Sequence, residues 1–340
     1  MKDFSVKEII SSKKWINGEY IRDFELKFAK YIGRRYAIGC NSGSSALLIA
    51  VMALKQEHPE ITEVLTVPNS YVATANSIRL AGCAVRFTDV NKDTWLLDSI
   101  PDGANTIVPV HLFGNVVDGN FLRSISKKYY MIEDCAQSTG AFIDGKKAGS
   151  FSDLSCFSFY PSKTLFTVGP GGMITTDNKE LAEMCRLLIN YGESMEYFSK
   201  TIGFNLRMGE IEAYSGLFGL ERLDEWNVIR RETAKIYIEE FGDKFDYQKA
   251  NGDHVYQNFP ILHPQRNKLM GFLSKKGIQT KVHYPIPIHK QLPYRDKNLK
   301  FPAVEMLAKQ ELSLPCHPAM MDEEVKYVIN NVKAWAKRWK

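Results

Sequence analysis

Between residues 35 and 190, short runs rich in valine, isoleucine and other apolar residues alternate with longer stretches whose apolar positions recur at three and four. The short runs predict strands over 36–40, 64–67, 85–89, 106–110, 130–134, 154–159 and 172–175. Helices are predicted over 44–53, 72–80 and 180–188, entered through a Gly-Ser turn, through Pro68 and through the turn Asp177-Asn178. Strands that alternate with helices make an α/β domain with a largely parallel sheet.

From Glu210 to Phe241 the helical period continues without interruption and predicts one long helix, a spine between two domains. Beyond it, VYQNFPIL reads as a strand, RNKLMGFLSKKG as a helix ended by Gly277, and 278–283 as another strand. The segments AVEMLAKQELSL and EEVKYVINNVKAWAKRWK are amphipathic, and the Lys-rich end reads as a solvated helix face rather than a membrane surface. The expected division is a large domain over 1–230 and a smaller α+β domain over 231–340.

The 340 residues leave room for two domains. With 44 Lys and Arg against 39 Asp and Glu the net charge is +5, and the two signs are interspersed, which argues against a nucleic-acid partner. Hydrophobic residues at 44% and charged residues at 24% exclude a disordered or collagenous chain. No run approaches the roughly 20 apolar residues of a membrane span, and the start MKDFSVKEIISSKKW lacks the apolar centre of a signal peptide. A cytoplasmic protein without a membrane partner is therefore expected. Cys40, Cys83, Cys135, Cys156, Cys185 and Cys316 are widely spaced with no C-x-x-C pair. They read as reduced, buried thiols, and no metal is expected.

Chemistry concentrates where an α/β sheet presents its strand ends. Cys40-Asn41-Ser42-Gly43-Ser44-Ser45 leads from a strand into a helix; it suits a bound phosphate, or simply a serine N-cap. Ile132-Glu133-Asp134-Cys135-Ala136-Gln137 ends an apolar strand in an acid, so Asp134 can hold a protonated ring nitrogen, a metal or the next turn. Ser158-Phe159-Tyr160-Pro161-Ser162-Lys163, followed by Gly169-Pro170-Gly171-Gly172, sets a lysine beside aromatic residues. Desolvation there lowers the pKa of an amine and frees it as a nucleophile; an ordinary solvated lysine is the plainer alternative.

In this order, the three segments resemble the DegT/DnrJ/StrS family of pyridoxal-phosphate-dependent sugar aminotransferases. Further matching segments are Val67-Pro68-Asn69-Ser70-Tyr71-Val72-Ala73-Thr74, Pro109-Val110-His111-Leu112-Phe113-Gly114, Gly203-Phe204-Asn205-Leu206-Arg207-Met208, His283-Tyr284-Pro285 and Leu312-Ser313-Leu314-Pro315. The resemblance implies an aspartate-aminotransferase-like fold, a three-layer α/β/α domain with a mostly parallel mixed sheet and a smaller C-terminal domain. It implies pyridoxal 5'-phosphate (PLP, cycling with PMP) as cofactor, an internal aldimine on Lys163, and proton transfer by the same amine. It also implies that Asp134 pairs with the pyridine nitrogen, Gln137 contacts the ring hydroxyl and Tyr71 stacks on the ring. The phosphate falls to Ser44, the Ser45 N–H, Ser158 and Asn205, the last reaching in from the partner of a homodimer. His283 lines the sugar side, and Arg207 meets a donor carboxylate or a nucleotide phosphate, with a core histidine and a surface salt bridge as the plainer readings.

Two positions depart from the family pattern. Ser44 replaces the usual threonine and keeps its hydroxyl, whereas Pro170 replaces an acid and removes a charge and an N–H from the loop after Lys163. Lys163 itself distinguishes the chain from relatives that carry histidine there and act as dehydratases. The expected reaction is amination of a nucleotide-linked 3-keto or 4-keto-6-deoxyhexose with L-glutamate as donor. Asn190-Tyr191-Gly192 and the 283–291 segment are similar to members that aminate position three, and Lys163-Thr164 to members that aminate position four. A cyclitol or keto-sugar phosphate acceptor, and a non-catalytic sugar-sensing relative, are the alternatives.

Overall fold

The structure, a computed structural model, describes residues 6–337, so the ends of both expected domains and the last three residues of the amphipathic C-terminal segment lie outside it. Strands β1 (Tyr36–Cys40), β2 (Glu63–Thr66), β3 (Ala84–Phe87), β4 (Thr106–Val108), β5 (Tyr130–Asp134), β6 (Leu154–Ser158) and β7 (Gly172–Thr176) form one sheet in the order β1-β7-β6-β5-β4-β2-β3. β7 runs antiparallel to both neighbours and the other pairs are parallel. The central strands are covered on both faces, which is why they read as continuous apolar runs rather than alternating ones.

Helix α1 (Glu19–Ile32) covers one face, where Phe24 and Phe28 meet Phe159 and Phe157 at ring distances of 5.2 and 4.9 Å. Helices α2 (Gly43–Glu57) and α4 (Lys179–Ile189) cover the other with Ile49, Ala50, Leu181 and Leu188 against Ile132 and Ile174. Between them in sequence, α3 (Ala73–Leu80) packs beside α2. This is the three-layer α/β/α arrangement. α1 carries no element in the sequence analysis, although Ile21, Phe24, Phe28 and Ile32 recur at helical spacing. Its start has no local side-chain cap; the carboxylate of Glu210 instead accepts the N–H groups of Gly18 (2.8 Å) and Tyr20 (3.0 Å) from far along the chain.

The helix predicted over 210–241 is two helices, α5 (Glu210–Leu220) and α6 (Leu223–Phe241). α5 lies so close to α1 that a Cβ on Gly216 would sit 2.6 Å from the Phe24 ring, while α6 turns away to a separate core. There Tyr237 and Phe241 pack with Phe259, Leu269, Leu312, Val328 and Trp335. The sheet of that region is antiparallel, β8 (Asp246–Tyr247), β9 (Phe259–Leu262) and β10 (Glu311–Leu314), backed by α7 (Arg266–Ser274) and α9 (Asp322–Lys337), with α8 (Pro302–Gln310) leading into β10. The predicted strand at 278–283 is not one: a single bridge joins Lys281 to Ser313, and the prolines at 285 and 287 prevent further pairing. The last four residues of AVEMLAKQELSL are strand, not helix.

Under the end of β5 lies a closed polar cluster. Val117 N–H donates to His111 Nδ1 (3.2 Å), which leaves Nε2 to donate to Glu133 (2.9 Å). The Glu133 carboxylate also accepts the N–H groups of Gly149 and Phe151 and the hydroxyl of Ser152. His111, Glu133 and Cys135 lie close enough together to surround a cation, yet the Glu133 oxygens already hold these donors. Burial alone would raise the Glu133 carboxyl; the donors outweigh it and hold it down to about 2.

A group with a folded pKa below its unfolded value stabilises the fold above the unfolded value and loses that effect as pH falls toward the folded one. Glu133→Gln, which turns an NH2 toward backbone N–H donors, is expected to destabilise the protein by about 3–5 kcal/mol at neutral pH. Urea unfolding of both proteins checks this, and the gap between them should narrow as pH drops below the ordinary glutamate range.

Candidate active site

The strand-to-helix turn after β1 presents a helix N-terminus at the edge of the site. Ser42, in extended conformation, caps α2: its Oγ accepts the Ser45 N–H (3.1 Å) and its carbonyl the Ala46 N–H (3.0 Å). The Ser45 N–H, expected to meet an anion, is held by Ser42 in this structure. The Ser45 hydroxyl is also turned inward, onto Asn41 Oδ1 (2.7 Å). The N–H groups of Gly43 and Ser44, which have no intrahelical acceptor, and the exposed Ser44 hydroxyl remain for a ligand. Glycine is required here. A Cβ on Gly43 would approach Ser158 Cβ to 2.6 Å and one on Gly172 would approach the Ser42 carbonyl oxygen to 2.3 Å, so the two glycines let β6 and β7 bring Ser158 beside the helix start.

Asp134, at the C-terminal end of β5, is buried. Its Oδ2 accepts the Thr74 hydroxyl (2.8 Å) and its Oδ1 the Ala136 N–H (3.1 Å), and Thr74 in turn contacts Ser70 (2.8 Å). Burial raises the Asp134 carboxyl despite these donors and the nearby Lys163 charge. Lys163 follows β6 in the turn closed by its own N–H on the Tyr160 carbonyl (2.8 Å). Desolvation lowers its amine to about 8, and Asp134 acts in the opposite sense. A buried acid and a desolvated amine thus lie within reach of one another's charge. The loop beyond Lys163 is held by Thr167 on the Phe159 carbonyl (3.1 Å) and by the Val168 N–H on Ser215 Oγ of α5 (2.9 Å), and the Gly171 carbonyl accepts the Phe159 N–H (2.8 Å), so it is pinned on both sides of the position where Pro170 stands.

Gln137 bridges two segments: its Oε1 accepts the Phe113 N–H (2.7 Å) and its Nε2 donates to the Tyr284 hydroxyl (3.1 Å). Tyr284 tilts against Tyr71 at 5.9 Å between ring centres. Tyr71 is 60% exposed and lines, with Ser44, Ser45, Asn76 and Ser77, a cleft of about 340 Å³. His283, half-buried beside Phe113 and Tyr284, feels the Lys163 charge, so it belongs to the same group of side chains. Asn205 and Arg207 stand apart. Their segment pairs with the end of β1 and with Asn190, Asn205 is exposed, and the Arg207 guanidinium donates to Asn205 Oδ1 (2.8 and 3.1 Å) while lying 5.4 Å from the centre of the Tyr191 ring. Arg207 is therefore engaged by its neighbour asparagine rather than free.

Thr74, Ser70 and Tyr284 are the site residues that the sequence analysis assigns no role. The first two carry no signal beyond membership of the Asn69-to-Thr74 segment, and Tyr284 is marked only by its place after His283. The donor set fits PLP: a helix start with open N–H groups for a phosphate, a buried carboxyl for a pyridinium, and a desolvated amine for the cofactor aldehyde.

Among the described residues no helix is long and apolar enough to cross a membrane. The family model for the DegT/DnrJ/EryC1/StrS aminotransferases matches residues 2–333. A pleiotropic regulatory protein of Geobacillus stearothermophilus is 34% identical over 96% of this chain and 91% of its own length. The dTDP-3-amino-3,6-dideoxy-alpha-D-galactopyranose transaminase of Aneurinibacillus thermoaerophilus is 35% identical over 97% and 94%. The crystal structure of S. venezuelae DesV in complex with a ketimine intermediate superposes with a TM-score of 0.93 at 31% identity, covering 98% of this chain and 94% of that one. With its fold, its lysine and acid pair and these relatives in agreement over nearly its whole length, the chain belongs to the DegT/DnrJ/EryC1/StrS aminotransferase family, whose members depend on PLP.

Proposed function

We propose that this aminotransferase acts on a nucleotide-linked keto-sugar, a 3-keto or 4-keto-6-deoxyhexose, and takes the amino group from L-glutamate. The observation that carries the reading is the pairing of Lys163 with Asp134, a lowered amine next to a buried acid. A sugar-binding protein without turnover has no need of either. When bound, PLP supplies the electron sink for the carbon that gains or loses the amine.

The chain's own residues divide the remaining work. Gly43, Ser44 and Ser158 hold the phosphate, joined across a homodimer interface by Asn205. Asp134, kept in place by Thr74 and Ala136, holds a proton on the ring nitrogen. Gln137 spends one N–H on Tyr284 and has a second for the ring hydroxyl. Tyr71 would stack on the ring. Lys163 Nζ accepts and returns the proton that moves during amine transfer, which requires an amine that is neutral for part of its time near physiological pH. His283 stands at the sugar side, and Arg207 orients Asn205 through its two hydrogen bonds. In the same reading the cofactor-binding domain ends near residue 230 and the C-terminal domain contributes His283 to the sugar side.

Absorbance of the purified protein with PLP, before and after L-glutamate, tests the reading. A visible band that depends on Lys163 and bleaches with glutamate is expected; Lys163→Ala should lose the band and lower turnover of nucleotide keto-sugars by about 10⁴-fold or more. Persistent amination by that variant, or no band in the wild type, overturns it.

The pH dependence has a definite sign. Only the neutral amine captures the cofactor aldehyde, so the capture rate should rise through a midpoint of about 8 rather than at an ordinary lysine value. Because the Asp134 charge favours the ammonium form, Asp134→Asn should move that midpoint lower, as read by rapid-mixing absorbance over a pH series.

A further inference from the structure

The single bridge between Lys281 and Ser313 lays the chain from 281 to 283 along the edge of β10, where residues 311 and 313 share one face. Three polar groups meet there in series. His283 Nδ1 and Ser313 Oγ are 2.8 Å apart, Ser313 Oγ and Glu311 Oε1 are 2.6 Å apart, and Glu311 Oε2 accepts the backbone N–H of His283 at 2.6 Å. Glu311 and Ser313 are buried. Among the described residues no hydrogen bond reaches His283 Nε2, the ring nitrogen opposite the series.

We propose that Glu311 and Ser313 are positioning residues that decide which ring nitrogen of His283 carries its proton, and so whether Nε2 meets a sugar oxygen as acceptor or donor. The inference rests on the placement of His283 at the sugar side. With Glu311 a carboxylate, Ser313 donates to Oε1, His283 Nδ1–H donates to Ser313, and Nε2 is a bare acceptor. With Glu311 protonated on Oε1, the oxygen that faces the Ser313 hydroxyl, Oε2 goes on accepting the His283 N–H. Oε1–H then donates to Ser313, Ser313 donates to Nδ1, and the ring proton moves to Nε2. One proton on Glu311 inverts both side-chain bonds of the series, and both are kept in either state.

The surroundings keep both states within reach. Burial raises the Glu311 carboxyl to about 8, against the Ser313 hydroxyl, the His283 N–H and the Arg266 charge. Arg266 itself is tied to the Glu311 and Ala308 carbonyls (2.7 and 3.1 Å) and does not touch the carboxylate. Burial, then Lys281 and Lys163, hold the His283 ring down to about 4, so it stays neutral and only its tautomer is at issue. Tyr284, raised by burial and by Asp134, adds no charge near neutral pH.

The test reads the tautomer directly, by two-bond proton–nitrogen correlation spectra of the PLP-loaded protein labelled with ¹⁵N-histidine, with His283→Gln to assign the signal. The wild-type ring should pass from Nε2–H to Nδ1–H as pH rises through about 8. Glu311→Gln places an amide NH2 toward Ser313 and should hold Nε2–H at every pH. Ser313→Ala should leave a tautomer that ignores pH, and Ser313→Thr should restore the response. In turnover, Glu311→Gln should change KM for the keto-sugar by about tenfold with little change in kcat or in KM for the amino donor. A wild-type tautomer that does not change with pH, or a wild-type response in Glu311→Gln or Ser313→Ala, overturns the proposal. A tautomer that follows the series while the sugar KM stays fixed overturns the role of His283 toward the sugar. Failure of the aminotransferase reading would show separately, in the Lys163 band.

Discussion

Two acids at consecutive positions of β5 set the terms for the molecule, because a strand sends them to opposite faces of a sheet buried on both sides. Neither can be buried cheaply. Glu133 faces the core with Phe28 and Phe157 and is neutralised by a full set of donors, His111 among them. Asp134 faces the site with Thr74 and one N–H, too few to quiet it. The first acid is a structural anchor, and the second is left with an unmet demand for a positive partner. The loops at 109–117 and 147–155 are ordered around the first, and the position of Lys163 gains its meaning from the second.

The same logic places the rest of the cofactor machinery. Ser44, Asp134 and Lys163 follow or end three separate strands, and glycines at 43 and 172 allow backbone contact where any side chain would intrude. Rigid elements hold the parts that need fixed geometry. The segments around 205–207 and 281–289 are instead irregular and tied down by single bridges and side-chain bonds.

The sheet was legible because buried strands announce themselves as apolar runs between turn residues, and the motif residues Ser44, Asp134, Gln137, Ser158 and Lys163 stand where those runs end. What escaped depends on partners far away in sequence. α1 begins without a local cap because Glu210 supplies one, so the usual start signal is missing. The break at residues 221 and 222 has neither glycine nor proline, and only the two separate cores explain it. Nothing local shows that Ser42, three residues before Ser45, holds the Ser45 N–H. Glu311 lies in what reads as the tail of an amphipathic helix; nothing local distinguishes a buried carboxyl that faces a histidine from an ordinary surface acid.

The antiparallel strand β7 has a consequence for biosynthesis. Tyr36 in β1 finds its partner only in Thr176, and β7 is also what joins β1 to the rest of the sheet. A ribosome delivers β1 early, and that strand must wait, with its backbone groups unpaired, until the whole parallel set and β7 have emerged. The nascent chain is thus exposed to mispairing for most of the time its N-terminal half takes to be made, and a chain cut short before residue 172 would carry both Lys163 and Asp134 on a sheet that lacks its edge.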